Sequence, residues 1–181
     1  MNTSRRRFIT HSAALGMAGY AATTLAEEVP AASEPSYKLA PIGKVEIKNG
    51  VMGVRLSDAY TDGLLGLDQW SHVQVFYWFD KNDTPEKRKI LRVHPRGNKE
   101  NPLTGVFACR SPFRPNLIAL SVCRIIAITG SFVQLEALDA FDGTPVLDLK
   151  PFTPADAPTK DIKVPDWARR GPASKKTETQ E

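Results

Sequence analysis

Residues 105–116 read Gly-Val-Phe-Ala-Cys-Arg-Ser-Pro-Phe-Arg-Pro-Asn and put two guanidiniums and a side-chain amide on a stretch that cannot be helical. Pro112 and Pro115 lack an amide proton and push the residue before each toward extended geometry, so Arg110 and Arg114 are not a helical i, i+4 pair. A stiff loop presenting Arg110, Arg114 and Asn116 results. Planar forked donors suit carboxylates, phosphates and purine edges, which makes the loop a candidate recognition element. The competing reading is a proline-rich connector whose arginines face water. Other chemistries find no support: there is no Ser-His-Asp signature, no phosphate-cradling glycine loop and no zinc-ligand spacing. The two cysteines, Cys109 and Cys123, are too few for a disulfide scaffold and read as small buried thiols.

The elements that must hold this loop are strands. Residues 43–47 alternate, Asn49-Gly50 carries a hairpin signal, and residues 51–56 resume extended. Residues 58–67 suggest a helical turn and a tight bend, and residues 72–79, dense in branched and aromatic side chains, a central strand. A charged connector follows, then short strands at 90–93 and 105–108. A long branched run, 117–129, breaks at Gly130 and pairs with 132–137. The turn Leu138-Asp139-Ala140-Phe141-Asp142-Gly143 then leads into a strand at 146–149. No long apolar stripe of helical period occurs between residues 42 and 151. Short strands with frequent turn signals predict a mainly β, single-domain, compact antiparallel β-barrel.

The chain has 181 residues, enough for one domain with a proper core. Its formal net charge is +4, of which Arg5, Arg6 and Arg7 supply three, leaving about +1. Any basic site is therefore local. Those arginines precede Phe8-Ile9 and a mildly apolar, acid-free run to Ala26, which matches a twin-arginine export signal over residues 1–26. The run is too short and weak for a permanent membrane anchor, so cleavage and a periplasmic or otherwise exported location are expected, with the twin-arginine export machinery as a partner; a cytoplasmic protein with a basic start is the alternative. Residues 27–41 read as a flexible tether, 42–156 as the barrel and 157–181 as a polar tail.

Four stretches together resemble the TsaA-like (TrmO) family. They are Asp62-Gly63-Leu64 through Trp70-Ser71-His72, then Val93-His94-Pro95-Arg96-Gly97, then the loop 105–116, and finally Leu138-Asp139 through Asp142-Gly143-Thr144-Pro145-Val146-Leu147-Asp148-Leu149-Lys150-Pro151. The resemblance implies a compact β-barrel that dimerises and binds S-adenosylmethionine without a Rossmann fold. It also implies methylation of N6-threonylcarbamoyladenosine in tRNA. Carried over, cofactor contacts fall at Asp80, Lys81, Arg110, Leu120, Leu138, Asp139, Ala140 and Phe141, and no metal is implied; Arg114, Asn116 and Asp142, from the stiff loop and the turn, are the candidate substrate contacts. Asp139 and Asp142 suit ribose hydroxyls or turn capping alike. His72 is a candidate proton acceptor by residue type, or a strand histidine satisfied by a local partner. The chain departs from the family where longer members carry a Pro-Arg-Gln segment after the first strand, since residues 45–51 close in a tight hairpin. Cys109 stands where threonine is usual and Asp80 where histidine is common. These departures, with the export signal, keep a second reading open: an exported, non-catalytic binding protein for an anionic or purine-like small molecule.

Overall fold

The computed structural model describes residues 37–156 and 160–169; the stretch expected to be an export signal and most of the expected tether lie outside the described residues. Eight strands form: β1 (Gly43–Lys48), β2 (Val51–Leu56), β3 (His72–Trp78), β4 (Arg92–Val93), β5 (Thr104–Gly105), β6 (Ile118–Thr129), β7 (Phe132–Leu135) and β8 (Pro145–Pro151). Six of them close into an antiparallel barrel in the order β1-β2-β7-β6-β3-β8, and β4 and β5 make a separate two-stranded ladder in the β3–β6 crossover. The expected barrel is the observed one.

Period-two alternation fills the barrel. Val73, Val75 and Tyr77 of β3 point inward, as do Val45, Val54, Leu56, Ala119, Cys123, Val133, Leu135 and Val146. The β1–β2 hairpin turns on Asn49 (φ 52°) and Gly50 (φ 76°), the left-handed pair that a two-residue turn requires. Outside it, Arg55 pairs with Glu46 at 2.9 Å and lies 4.6 Å over the Phe132 ring. Gly53 leaves the space for that stack, because a Cβ there would meet Phe132 at 2.6 Å and the Val133 carbonyl at 2.3 Å.

Strand boundaries differ from the sequence expectation by more than one residue in four places. The strand expected at 105–108 is Thr104–Gly105 followed by a single 3-10 turn, Val106–Ala108, because buried Val106 hands its carbonyl to Arg114 instead of a neighbouring strand. That two-residue partner also limits β4 to Arg92–Val93. β7 ends at Leu135, where the chain turns away, while β8 runs on to Pro151 because β3 pairs with it as far as Val73. In the tail, Asp166–Arg169 forms one helical turn with Trp167 half-buried. No helix among the described residues is long and apolar enough to cross a membrane.

Candidate functional site

The site arises from a mismatch of strand lengths. β6 has twelve residues and β7 four, so β7 pairs only with positions 125–129, and the first half of β6 is bonded along one edge alone, to β3. Beside that uncovered edge lies the turn 138–144, and across the barrel end lies the close of β3. Two adjoining cavities occupy the gap. One, of about 210 Å³, is lined by Asp80, Lys81, Pro112, Ala140 and Phe141 among others. The second, of about 630 Å³, is lined by Cys109, Ser111, Arg114, Leu120, Ser121 and Val122 among others. Tyr77, Phe79, Arg110 and Asp139 belong to both.

Each wall is built locally. Asp80 and Lys81 sit in a 3-10 turn directly after β3, with their charged groups 3.5 Å apart. The next helical turn, Pro85–Arg88, starts on a proline and is capped by the Thr84 hydroxyl, which accepts the Lys87 amide. From it Lys87 donates to the Lys81 carbonyl, and Arg88 bridges Asp83 at 2.8 Å and the Pro115 carbonyl at 2.7 Å. The Arg88 bond, with the Trp78 indole N–H, holds the Asp83 carboxyl below its ordinary range. This network fastens the close of β3 to the proline loop.

Within that loop the two arginines differ. Arg110 donates to the Leu120 carbonyl on the uncovered edge of β6 and lines both cavities. Arg114 donates through one nitrogen to the carbonyls of Val106, Cys109 and Ser111, at 3.0, 3.1 and 3.3 Å. It is thus the loop's internal brace as well as part of the larger cavity's lining. The opposite wall is the turn. Asp142 accepts the Ile47 amide at 2.8 Å, so its carboxylate caps the turn against β1, away from both cavities. Leu138 is buried in the core, its amide directed at the Met52 sulfur.

The structure therefore brings together Asp80, Lys81, Arg110, Arg114, Leu120, Asp139, Ala140 and Phe141, drawn from four separate stretches. It places Leu138 beneath the turn, and it leaves Asn116 exposed and Asp142 occupied outside the two cavities. His72 is not brought to the site. It opens β3, about 20 Å at 3.3 Å per residue from the strand's close where Asp80 and Lys81 follow, it lines neither cavity, and it bonds Ser71 at 2.9 Å and meets the Phe152 ring edge. The carboxylates that line the cavities are those of Asp80 and Asp139. Sequence reasoning missed Tyr77, Phe79 and Ser121. Strand alternation points Tyr77 inward, and a phenol at an inward position needs a polar partner, which was the available signal. No group of His, Cys, Asp or Glu among the described residues could hold a metal ion.

A family model described as the tRNA-methyltransferase O N-terminal domain matches residues 35–157. The chain belongs to this family. A probable S-adenosyl-L-methionine-binding protein of Methanocaldococcus jannaschii is 44% identical over 117 residues, covering 65% of this chain and 93% of the relative. The tRNA (adenine(37)-N6)-methyltransferase of Mus musculus is 42% identical over 90 residues, 49% of this chain and 20% of the mouse protein. Among solved structures, TrmO from P. aeruginosa aligns with TM-score 0.57 at 26% identity, over 74% of this chain and 62% of that one. This member of the TrmO family thus spans less than two thirds of the TrmO chain and one fifth of the mouse relative.

Proposed function

We propose that this chain is an S-adenosylmethionine-dependent methyltransferase that holds the donor across the two adjoining cavities. One observation carries the reading: residues 80–81, 110, 120 and 139–141, which the family resemblance marks as cofactor contacts, converge from four stretches on one continuous gap. The lining also fits the chemistry of the donor. Asp80 and Asp139 offer carboxylates to ribose hydroxyls or ammonium, Arg110 offers guanidinium donors to a carboxylate, and Leu120, Ala140, Phe79 and Phe141 offer apolar wall for a purine.

S-adenosylmethionine supplies a methyl group already activated on a sulfonium. The protein's task is then mainly positioning and exclusion of water. Arg110, tethered to β6, holds one end of the gap, and the turn 138–141 holds the other. A proton released by an attacking nitrogen can pass to Asp80 or Asp139. Burial raises the Tyr77 phenol above its ordinary range, so Tyr77 remains a neutral hydrogen-bond donor at physiological pH rather than a base.

For the acceptor we propose the N6 of a modified adenosine in tRNA, threonylcarbamoyladenosine being the family substrate; the name of the mouse relative supports the adenine N6. A second reading, donor binding without transfer, is favoured by the closed β1–β2 hairpin, which leaves no loop where longer relatives of this type carry part of their site. We also propose a homodimer, supported by the apolar stripe that Ile118, Leu120, Val122 and Ile126 expose along β6, the first three of which also line the larger cavity; a monomer in sedimentation would remove it. The test of transfer is incubation of the full chain with methyl-labelled donor and total tRNA. Label in tRNA is expected, whereas donor binding without labelling would establish the second reading.

A further inference from the structure

The gap in the barrel wall is bridged by one side chain that neither the family resemblance nor the names of the relatives marks. Tyr77 is 4% exposed, points into the barrel at the close of β3, and belongs to both cavities. Its hydroxyl donates to the Asp139 carbonyl at 2.8 Å and lies 3.2 Å from Ser121 Oγ. A phenol has a single proton, so with that proton on Asp139 the Ser121 hydroxyl must be the donor in the second bond. The result is a directional chain, Ser121 to Tyr77 to Asp139, running from β6 through β3 to the turn.

The strands supply the means. β6 and β3 are paired through Tyr77–Ala119 and Val75–Ser121, which brings Ser121 to the phenol. The β3–β8 register shifts between Phe76 and Tyr77, a local irregularity at the residue that carries the hydroxyl. The Phe79 ring meets the Tyr77 ring edge at 5.8 Å and limits its rotation. Apart from bonds within the turn itself, its other described bonds reach β1 and β2: the Ile47 amide to Asp142, the Gly143 amide to Val45, the Val45 amide to Thr144, and the Leu138 amide to Met52.

We infer that Tyr77 is a positioning residue for the donor site: its hydroxyl ties the turn 138–141 to β3 and β6 across the uncovered edge, and so fixes the width of the gap before ligand arrives. This rests on the donor-binding reading above. Without the bond the turn is hydrogen-bonded to the barrel only on its β1–β2 side, and the ligand must order the far wall as it binds.

The test uses the full chain with Tyr77→Phe, Ser121→Ala and the double variant. Calorimetry with S-adenosylmethionine and with its demethylated product is paired with amide hydrogen exchange of residues 139–141 in the absence of ligand. Tyr77→Phe is expected to weaken both ligands about tenfold, the loss of one hydrogen bond, and to speed exchange at the turn while β3 amides stay protected. Ser121→Ala should act less, because Tyr77 keeps its acceptor, and the double variant should match Tyr77→Phe, since Ser121 acts through it. Additive effects, or unchanged exchange and affinity in Tyr77→Phe, would overturn the inference. Faster exchange across the whole barrel would mean a general packing role and would overturn it as well. Should the wild type bind neither ligand, the donor-binding reading fails by itself, and accelerated exchange confined to the turn still decides whether Tyr77 is the tie.

Discussion

Arg114 and Arg110 sit four residues apart on the same loop, yet their surroundings assign them different work. Arg114 satisfies three loop carbonyls, one of them belonging to buried Val106. Removing it leaves those acceptors without their common donor, so Arg114→Ala is expected to lower unfolding stability by about 1–3 kcal/mol, measured by urea denaturation. An unchanged midpoint would return Arg114 to the role of a ligand group alone. The two cysteines separate in the same way. Cys123 is buried inside the barrel, which pushes its thiol up to about 11, while Cys109 is half-exposed on the wall of the larger cavity. Native protein should therefore release one equivalent of thiol to an aromatic disulfide reagent, the second appearing only on unfolding. The sign of the pH effect follows. The unfolded Cys123 thiol ionises near the ordinary thiol value of 9.0 and the folded one near 11, so the folded state holds the extra proton between them and stability falls as pH rises through that window.

At the scale of elements, the glycine in β2 is a packing device. Gly53→Ala would drive a methyl into the Val133 carbonyl and the Phe132 ring, so a loss of about 1–3 kcal/mol is expected, read as a lower thermal midpoint with the circular dichroism of a β protein retained. The strands themselves were legible because alternation and turn chemistry agree: Asn49-Gly50 closes its hairpin, and the β3 sequence alternates as its burial does. What could not be read were the pairings that set strand length. Nothing local in residues 117–129 says that only 125–129 find a partner in β7, and that shortfall creates the gap. Likewise Asp80, Arg110 and Asp139 are singled out by resemblance to the family, and the structure brings them to one gap. The displacement of His72 to the far end of β3 is a consequence of strand geometry that residue type alone does not carry.

The whole molecule combines a barrel of the TrmO family with an N-terminal stretch, outside the described residues, that we propose directs export in folded form. Changing Arg5 and Arg6 together to lysine should keep the protein in the cytoplasm; unchanged recovery from the periplasm would remove that proposal. Either location is compatible with the central claim, which concerns the gap between β6, the close of β3 and the turn 138–144. Calorimetric titration of the wild-type chain with S-adenosylmethionine, repeated with Arg110→Ala, tests it most directly. Saturable binding is expected, weakened by about 1.5–3 kcal/mol in the variant through loss of a charge-assisted bond, with the fold intact. No detectable binding by wild type, or equal affinity in both proteins, would contradict it.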